Sequence, residues 1–200
     1  MAKVLHVFAH PGRGASRVNT AMWRAAHGVE GITSLDLFAL YPRYAIDIET
    51  EQQRLLDHDV ILLQFPLFWY SAPALVKEWI DLTFEHGFAY GHKGDRLKGK
   101  SLMLAVTAGG PQEAYGESGY QTYELRTFLT PFEQTARLCQ MKFLPPYVQF
   151  GALTADPAPH ALGFVQLLEG LRDDRLDRAR ADKADVLTHD TLPLMEGAPT

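Results

Sequence analysis

The 200-residue chain has a single cysteine, Cys139, so it can close no internal disulfide and build no cysteine-based metal cage. It has no excess of cations. Nineteen Lys and Arg stand against 24 Asp and Glu, a formal charge of −5, which argues against a protein that grips nucleic acid through its phosphate backbone. No apolar run approaches the roughly 20 residues needed to cross a bilayer. The N-terminal stretch has one Lys and then alternating apolar positions, too short and too strand-like for a signal peptide. Gly-x-Ser-x-Gly is absent, and there is no repeat or low-complexity block. His86 and His92, six apart across glycines, are a weak ligand signal, and no metal is expected. What remains is 46% hydrophobic and 22% charged, the composition of one soluble, cytoplasmic globular domain. The expected boundaries are a single domain over 1–185 and a loose C-terminal tail over 186–200.

Residues 4–9 form a compact apolar run, interrupted at His6 and broken by His10-Pro11-Gly12-Arg13-Gly14, which reads as a buried strand leaving a sheet. Ser16 can cap a following helix whose apolar residues Val18, Met22, Ala25 and Ala26 fall at helical spacing. A second strand is expected over 33–40 and a polar helix over 49–57. Residues 59–66 are the clearest strand: continuous apolarity means that both faces are covered, as in a central parallel strand. Pro73 then opens a helix with Leu75, Trp79, Leu82 and Thr83 inward. Residues 101–107 are a fourth strand, 125–138 a helix, 147–151 a short fifth strand and 160–184 a helix. Strands alternating with helices imply parallel βαβ units in an α/β sandwich. The mixed charges of 172–190 read as a solvated helix face laced with ion pairs, with a partner-binding arm as the minority reading.

In a doubly wound sheet, ligands sit beyond the carboxyl ends of the strands. Three strands end in unusual loops there. The first, 10–19, leads into a helix N-terminus, whose free amides and partial positive charge suit a phosphate; Ser16, Arg17 and Asn19 add donors, and His10 can donate an imidazole proton. Gly12-x-Gly14, some distance before Asp36, invites a dinucleotide reading. Arg17 stands at the third glycine position, however, and Asp36 reads as mid-strand rather than strand end, so a mononucleotide site is favoured. The second loop, Gln64-Phe65-Pro66-Leu67-Phe68-Trp69-Tyr70-Ser71, places three consecutive aromatics in a connection, where a flat aromatic ligand can pack on them. The third, Thr107-Ala108-Gly109-Gly110, offers bare backbone for close approach. A phosphate cup, an aromatic wall and a bare rim together describe a site for flavin mononucleotide.

These residues resemble the flavodoxin-like NAD(P)H:quinone oxidoreductases, and within them the ancillary quinone reductases of glutathione-regulated potassium-efflux systems and the general-stress and drug-activity modulator proteins. The matching pieces are Ala9-His10-Pro11 with Ser16-x-x-Asn19, Leu40-Tyr41-Pro42, Ile46-Asp47-Ile48, and the stretch from Gln64 to Pro73. They continue with Lys77-x-Trp79-Ile80-Asp81, Gly87-Phe88-Ala89-Tyr90-Gly91, Leu97-x-Gly99-Lys100, Val106-Thr107-x-Gly109-Gly110 and Leu144-Pro145-Pro146. The resemblance implies a flavodoxin-like three-layer sandwich with a five-stranded parallel sheet in the order 2-1-3-4-5. It also implies a homodimer and tightly held FMN (FAD in some relatives) reduced by NADH or NADPH. Carried over by position, His10, Ser16, Arg17, Val18 and Asn19 would hold the phosphate. Pro66, Leu67, Phe68, Trp69 and Tyr70 would line the isoalloxazine, and Thr107, Ala108, Gly109 and Gly110 would meet its pyrimidine side. Tyr115 matches a family tyrosine that assists charge relay on the reduced flavin. Gln121 stands where the family's best-studied branch has a histidine, which puts a Tyr–His pair out of reach. The implied reaction is ping-pong hydride transfer from NAD(P)H through the flavin to a quinone. The alternatives are an ancillary subunit of a potassium-efflux transporter, or a flavodoxin-type electron carrier.

Overall fold

The computed structural model describes residues 1–12, 14 and 16–195. Strand β1 (Val4–Phe8) leads to helix α1 (Val18–Ala26), then β2 (Ile32–Asp36), α2 (Leu37–Leu40), α3 (Ile48–Asp57) and β3 (Val60–Pro66). Helix α4 (Ala74–Thr83) and β4 (Ser101–Thr107) follow, then a 3-10 turn (Leu125–Leu129), α5 (Thr130–Leu138), β5 (Lys142–Phe143), β6 (Tyr147–Gln149), α6 (Pro157–Arg172) and α7 (Arg178–Ala181). All sheet pairings are parallel, in the order β2-β1-β3-β4 with β5 and β6 both beside β4. This is the expected order. The fifth lane is split because Pro145 and Pro146 have no N–H to give to the ladder.

Alternation along the strands sorts the core into two layers. Leu5, Val7, Ile61, Leu63, Leu102 and Leu104 pack on α3, α4 and α5 through Leu55, Trp79 and Phe132. Val4, Val60, Leu62, Met103 and Ala105 pack on α1 and α6 through Met22, Phe164 and Leu168. Strands β3 and β4 are buried over their whole length, which is why each reads as an unbroken apolar run.

Four expectations are corrected. The strand expected over 33–40 stops at Asp36, whose carboxylate accepts the amides of Phe38 and Ala39 at 3.0 and 3.2 Å and so caps α2; Asp36 is a strand end after all. Ser16 does not cap α1: Arg17 holds the N-cap position, with no side-chain cap. The helix expected over 160–184 ends at Arg172, because Asp174 adopts a left-handed φ of 54° and the Arg175 amide reaches back to the Gly170 carbonyl at 2.8 Å. The charged segment beyond it keeps an Arg172–Asp173 ion pair at 2.8 Å, yet Leu176 and Ala181 are buried in the core. Nor is the stretch from 186 to 195 loose. Leu187 exchanges main-chain bonds with Pro146 and Val148 at 2.8 and 2.7 Å, and Met195 donates to Arg175 at 2.8 Å. The last five residues of the expected tail lie outside the described residues. Among the described residues no helix is long and apolar enough to cross a membrane.

Candidate functional site

Strands β1, β3 and β4 end side by side, so the loops after Phe8, Pro66 and Thr107 open onto one edge of the sheet. Two adjoining cavities lie there. One, of about 340 Å³, is lined by His10, Ser16, Arg17, Val18, Asn19, Pro66, Leu67, Phe68, Thr107, Gly109, Ala152 and Leu153. The other, of about 350 Å³, is lined by Leu67, Trp69, Tyr70, Gly109, Gly110, Pro111, Tyr115, Tyr120, Gln121 and Leu153. A larger cavity, about 540 Å³, lies at the opposite end of β4 and β5. Its Arg126, Lys142 and Arg178 are offset by Asp174 and Asp182, and it opens at the amino end of β4, beside the two-residue strand β5.

Whereas α3 and α6 open on the capping aspartates Asp47 and Asp156, α1 has no side-chain cap, and the amides of Val18 and Asn19 find no acceptor among the described residues. His10 is buried, and its Nδ1 accepts the Gly12 amide at 3.1 Å. Neutral His10 therefore carries its proton on Nε2, as a donor. Burial holds its pKa below the ordinary imidazole value, against the pull of its own backbone carbonyl and of Asp36. This cup of neutral donors with one cation, Arg17, suits an anion. His6 and His10 are four apart, a ligand spacing on a helix, but here His6 is in β1 and His10 lies two residues past its end, and no three-residue metal cluster is found among the described residues.

The aromatic loop is a tight turn. Phe68 and Ser71 exchange two main-chain bonds at 3.0 and 3.1 Å, and the two residues between them, Trp69 and Tyr70, have φ of 48° and 62°. Such left-handed pairs usually carry Asn or Gly; bulky residues there cost about 1 kcal/mol each. The turn holds the rings outward instead of in the core: Trp69 is 92% exposed. Tyr70 leans on Phe128 at a centroid distance of 4.8 Å. Tyr115 packs on Phe128 and Phe150, and its pKa is raised by burial and then by the Tyr120 and Tyr70 hydroxyls nearby.

The main-chain amides of Trp69, Tyr70, Gly109 and Gly110 find no acceptor among the described residues, nor does the Thr107 hydroxyl hydrogen. At Gly110 a Cβ would stand 2.8 Å from the Tyr120 hydroxyl, so the bare backbone leaves that exposed ring its present place. An anion cup, unspent amides along a bare strip and an aromatic turn are the donor set that a flavin mononucleotide needs.

Of the residues singled out in the sequence, all but one line these cavities. Ala108 is fully buried, its amide donating to Gln149 and its carbonyl accepting from Ala152, so it joins two loops instead of facing the site. Ala152, Leu153, Pro111, Tyr120 and Gln121 were missed. The rule that ligands gather at strand ends, applied to the loop after the fifth lane, would have found Ala152 and Leu153. Gln121, where a histidine was the family alternative, does line the second cavity.

A family model described as Flavodoxin-like fold matches residues 2–170. The chain is 44% identical over 151 residues to the glutathione-regulated potassium-efflux system ancillary protein KefG of Cronobacter sakazakii, covering 76% of this chain and 82% of that one. A solved structure of general stress protein 14 from Treponema denticola, in complex with FMN, is 32% identical, covers 86% of this chain and 98% of that chain, and superposes with a TM-score of 0.77. An NADPH-quinone reductase from P. pentosaceus is 29% identical, with coverages of 84% and 96% and a TM-score of 0.74.

Proposed function

The chain belongs to the Flavodoxin-like fold family, and from that premise we propose that it is a flavoprotein NAD(P)H dehydrogenase that reduces quinones. One observation carries the reading: an uncapped helix N-terminus, an unspent Thr107 hydroxyl and four unspent amides meet an aromatic turn at one sheet edge. His10, Ser16, Arg17, Val18 and Asn19 hold the phosphate. Pro66, Leu67, Phe68, Trp69 and Tyr70 line one side of the ring, while Thr107, Gly109 and Gly110 meet its polar edge, with Ala108 fixing that loop from behind. The FMN-bound relative favours FMN over FAD. NADH and NADPH both remain co-substrates to be compared.

When bound, FMN accepts a hydride from reduced nicotinamide and delivers two electrons to the quinone. The protein supplies placement and field. The free amides donate where negative charge gathers during transfer, at no cost in reorganisation. Tyr115 is a phenol, protonated at neutral pH, and burial raises its pKa further, so it serves as a donor at the rim. Trp69 and Tyr70 wall a slot that nicotinamide and quinone occupy in turn, giving ping-pong kinetics. Trp69, Tyr120 and Leu153 are 92, 72 and 79% exposed around that slot, and a second copy of the chain covers them in a homodimer.

Purified protein should be yellow and should bleach on anaerobic titration with NADH or NADPH, with parallel double-reciprocal plots against quinone. A colourless protein that ignores added FMN would sink the proposal. Similarity to KefG supports a second reading, an ancillary role on a potassium-efflux transporter. Co-purification with such a transporter, combined with slow turnover of free quinones, would favour it.

A further inference from the structure

Five polar side chains form one unbroken line of hydrogen bonds beneath the cavity. His6 Nδ1 meets Ser34 Oγ at 3.0 Å, and His6 Nε2 meets Gln64 Oε1 at 2.8 Å. Gln64 Nε2 lies 2.9 Å from both the backbone oxygen and Oδ1 of Asn19, and Asn19 Nδ2 meets Thr107 Oγ1. His6, Gln64 and Asn19 are at most 2% exposed, and the His6 ring is packed against Trp23 and Phe164.

The polarity of this line follows from a single group that cannot flip, the Asn19 main-chain carbonyl. It only accepts, so the Gln64 nitrogen must face it and the Gln64 oxygen must face His6. His6 then carries its proton on Nε2, and its bare Nδ1 accepts from Ser34. The other Gln64 hydrogen needs an acceptor, so Asn19 turns Oδ1 toward it and Nδ2 toward Thr107. The Thr107 oxygen accepts there, and its own hydrogen has no acceptor among the described residues. Thr107 lines the cavity.

We propose that His6, Gln64 and Asn19 are positioning residues that commit the Thr107 hydroxyl to donate into the cavity, so that the site selects a ligand with an acceptor atom at that point. The flavin reading enters only in naming that ligand as FMN. Burial, which lowers the His6 pKa to about 4, keeps the ring neutral and its tautomer fixed across the working pH range.

The polarity is tested on 15N-labelled protein without ligand: His6 should be protonated on Nε2 and bare on Nδ1 from pH 7 to 5. A proton on Nδ1 overturns the proposal, whatever the protein binds. FMN is then titrated by fluorescence. Thr107→Ser should bind within about twofold of the parent and Thr107→Val about tenfold more weakly. Addition of FMN should shift the His6 Nε2–H resonance in the parent, though no ligand touches His6, and leave it unmoved in Thr107→Val. Gln64→Met should weaken binding as Thr107→Val does, and the double variant should be no weaker than either. Equal FMN affinity in Thr107→Val and the parent refutes the outward donor. A parent that binds no FMN refutes the flavin reading, and the His6 tautomer then decides the polarity by itself.

Discussion

Each face of the sheet buries one polar network, and the two end differently. On the α3–α4 side, the Glu51 carboxylate is fully buried and accepts from Tyr41 Oη at 2.5 Å and Trp79 Nε1 at 3.0 Å, with Arg54 paired to it as well. The Tyr41 hydroxyl and the Trp79 indole N–H both find their acceptor on Glu51, and the knot ties three segments together. On the α1–α6 side, the line from Ser34 to Thr107 ends at the cavity wall, where the Thr107 hydroxyl hydrogen and the second Asn19 Nδ2 hydrogen have no acceptor among the described residues. A buried network that closes on itself specifies a fold; one that leaves donors over at a cavity specifies a ligand.

The widest gap between the two networks should appear in Glu51→Ala. It removes the shared acceptor of three donors and should lower the unfolding free energy by about 3–4 kcal/mol in urea, with FMN affinity unchanged in the protein that still folds. Loss of flavin binding by that folded variant would erase the distinction. Next is acid. His6 titrates near 6.5 when unfolded and about 4 when folded, so as pH falls the unfolded chain takes the proton first. Stability should therefore drop progressively from pH 6.5 down to 4, by about 3 kcal/mol in all from this group, and His6→Gln should flatten that slope in urea melts. His10, shifted in the same direction by burial, adds to the loss.

A smaller effect is expected from Asn19→Asp. A carboxylate has no proton for Thr107 and repels a phosphate, so FMN should bind at least about tenfold more weakly, with a shift in melting temperature of only a few degrees. Unchanged FMN affinity by fluorescence titration would count against the cup. The smallest is Trp69→Gly, which relieves a left-handed residue and should stabilise the ligand-free protein by about 1 kcal/mol while raising the KM for quinone. A fall in melting temperature would show that the turn is not strained.

The strands expected over 59–66 and 101–107 were legible to within one residue, because burial on both faces leaves a continuous apolar signature that needs no partner to recognise. The cavity-lining loops after β1 and β3 were legible too, since each is a local run at a strand end. The closing segments of the chain were not. Leu187 and Leu194 belong to stretches without periodicity, and they are held by pairing with residues far away in the chain. Asp36 misled because a capping aspartate and a mid-strand aspartate look alike until the following amides are placed.

Local composition therefore decided which segments become strands and which loops carry donors, because burial and backbone preference act over a few residues at a time. Only the assembled sheet decided that His6, Gln64 and Thr107 share a face. That depends on strand register and on alternation, which bring together His6 and Gln64, 58 positions apart, and set Thr107 two residues beyond Ala105, the partner of Gln64. Hydrogen-bond polarity is a property of such neighbours, so the direction in which Thr107 donates exists only once the chain has folded.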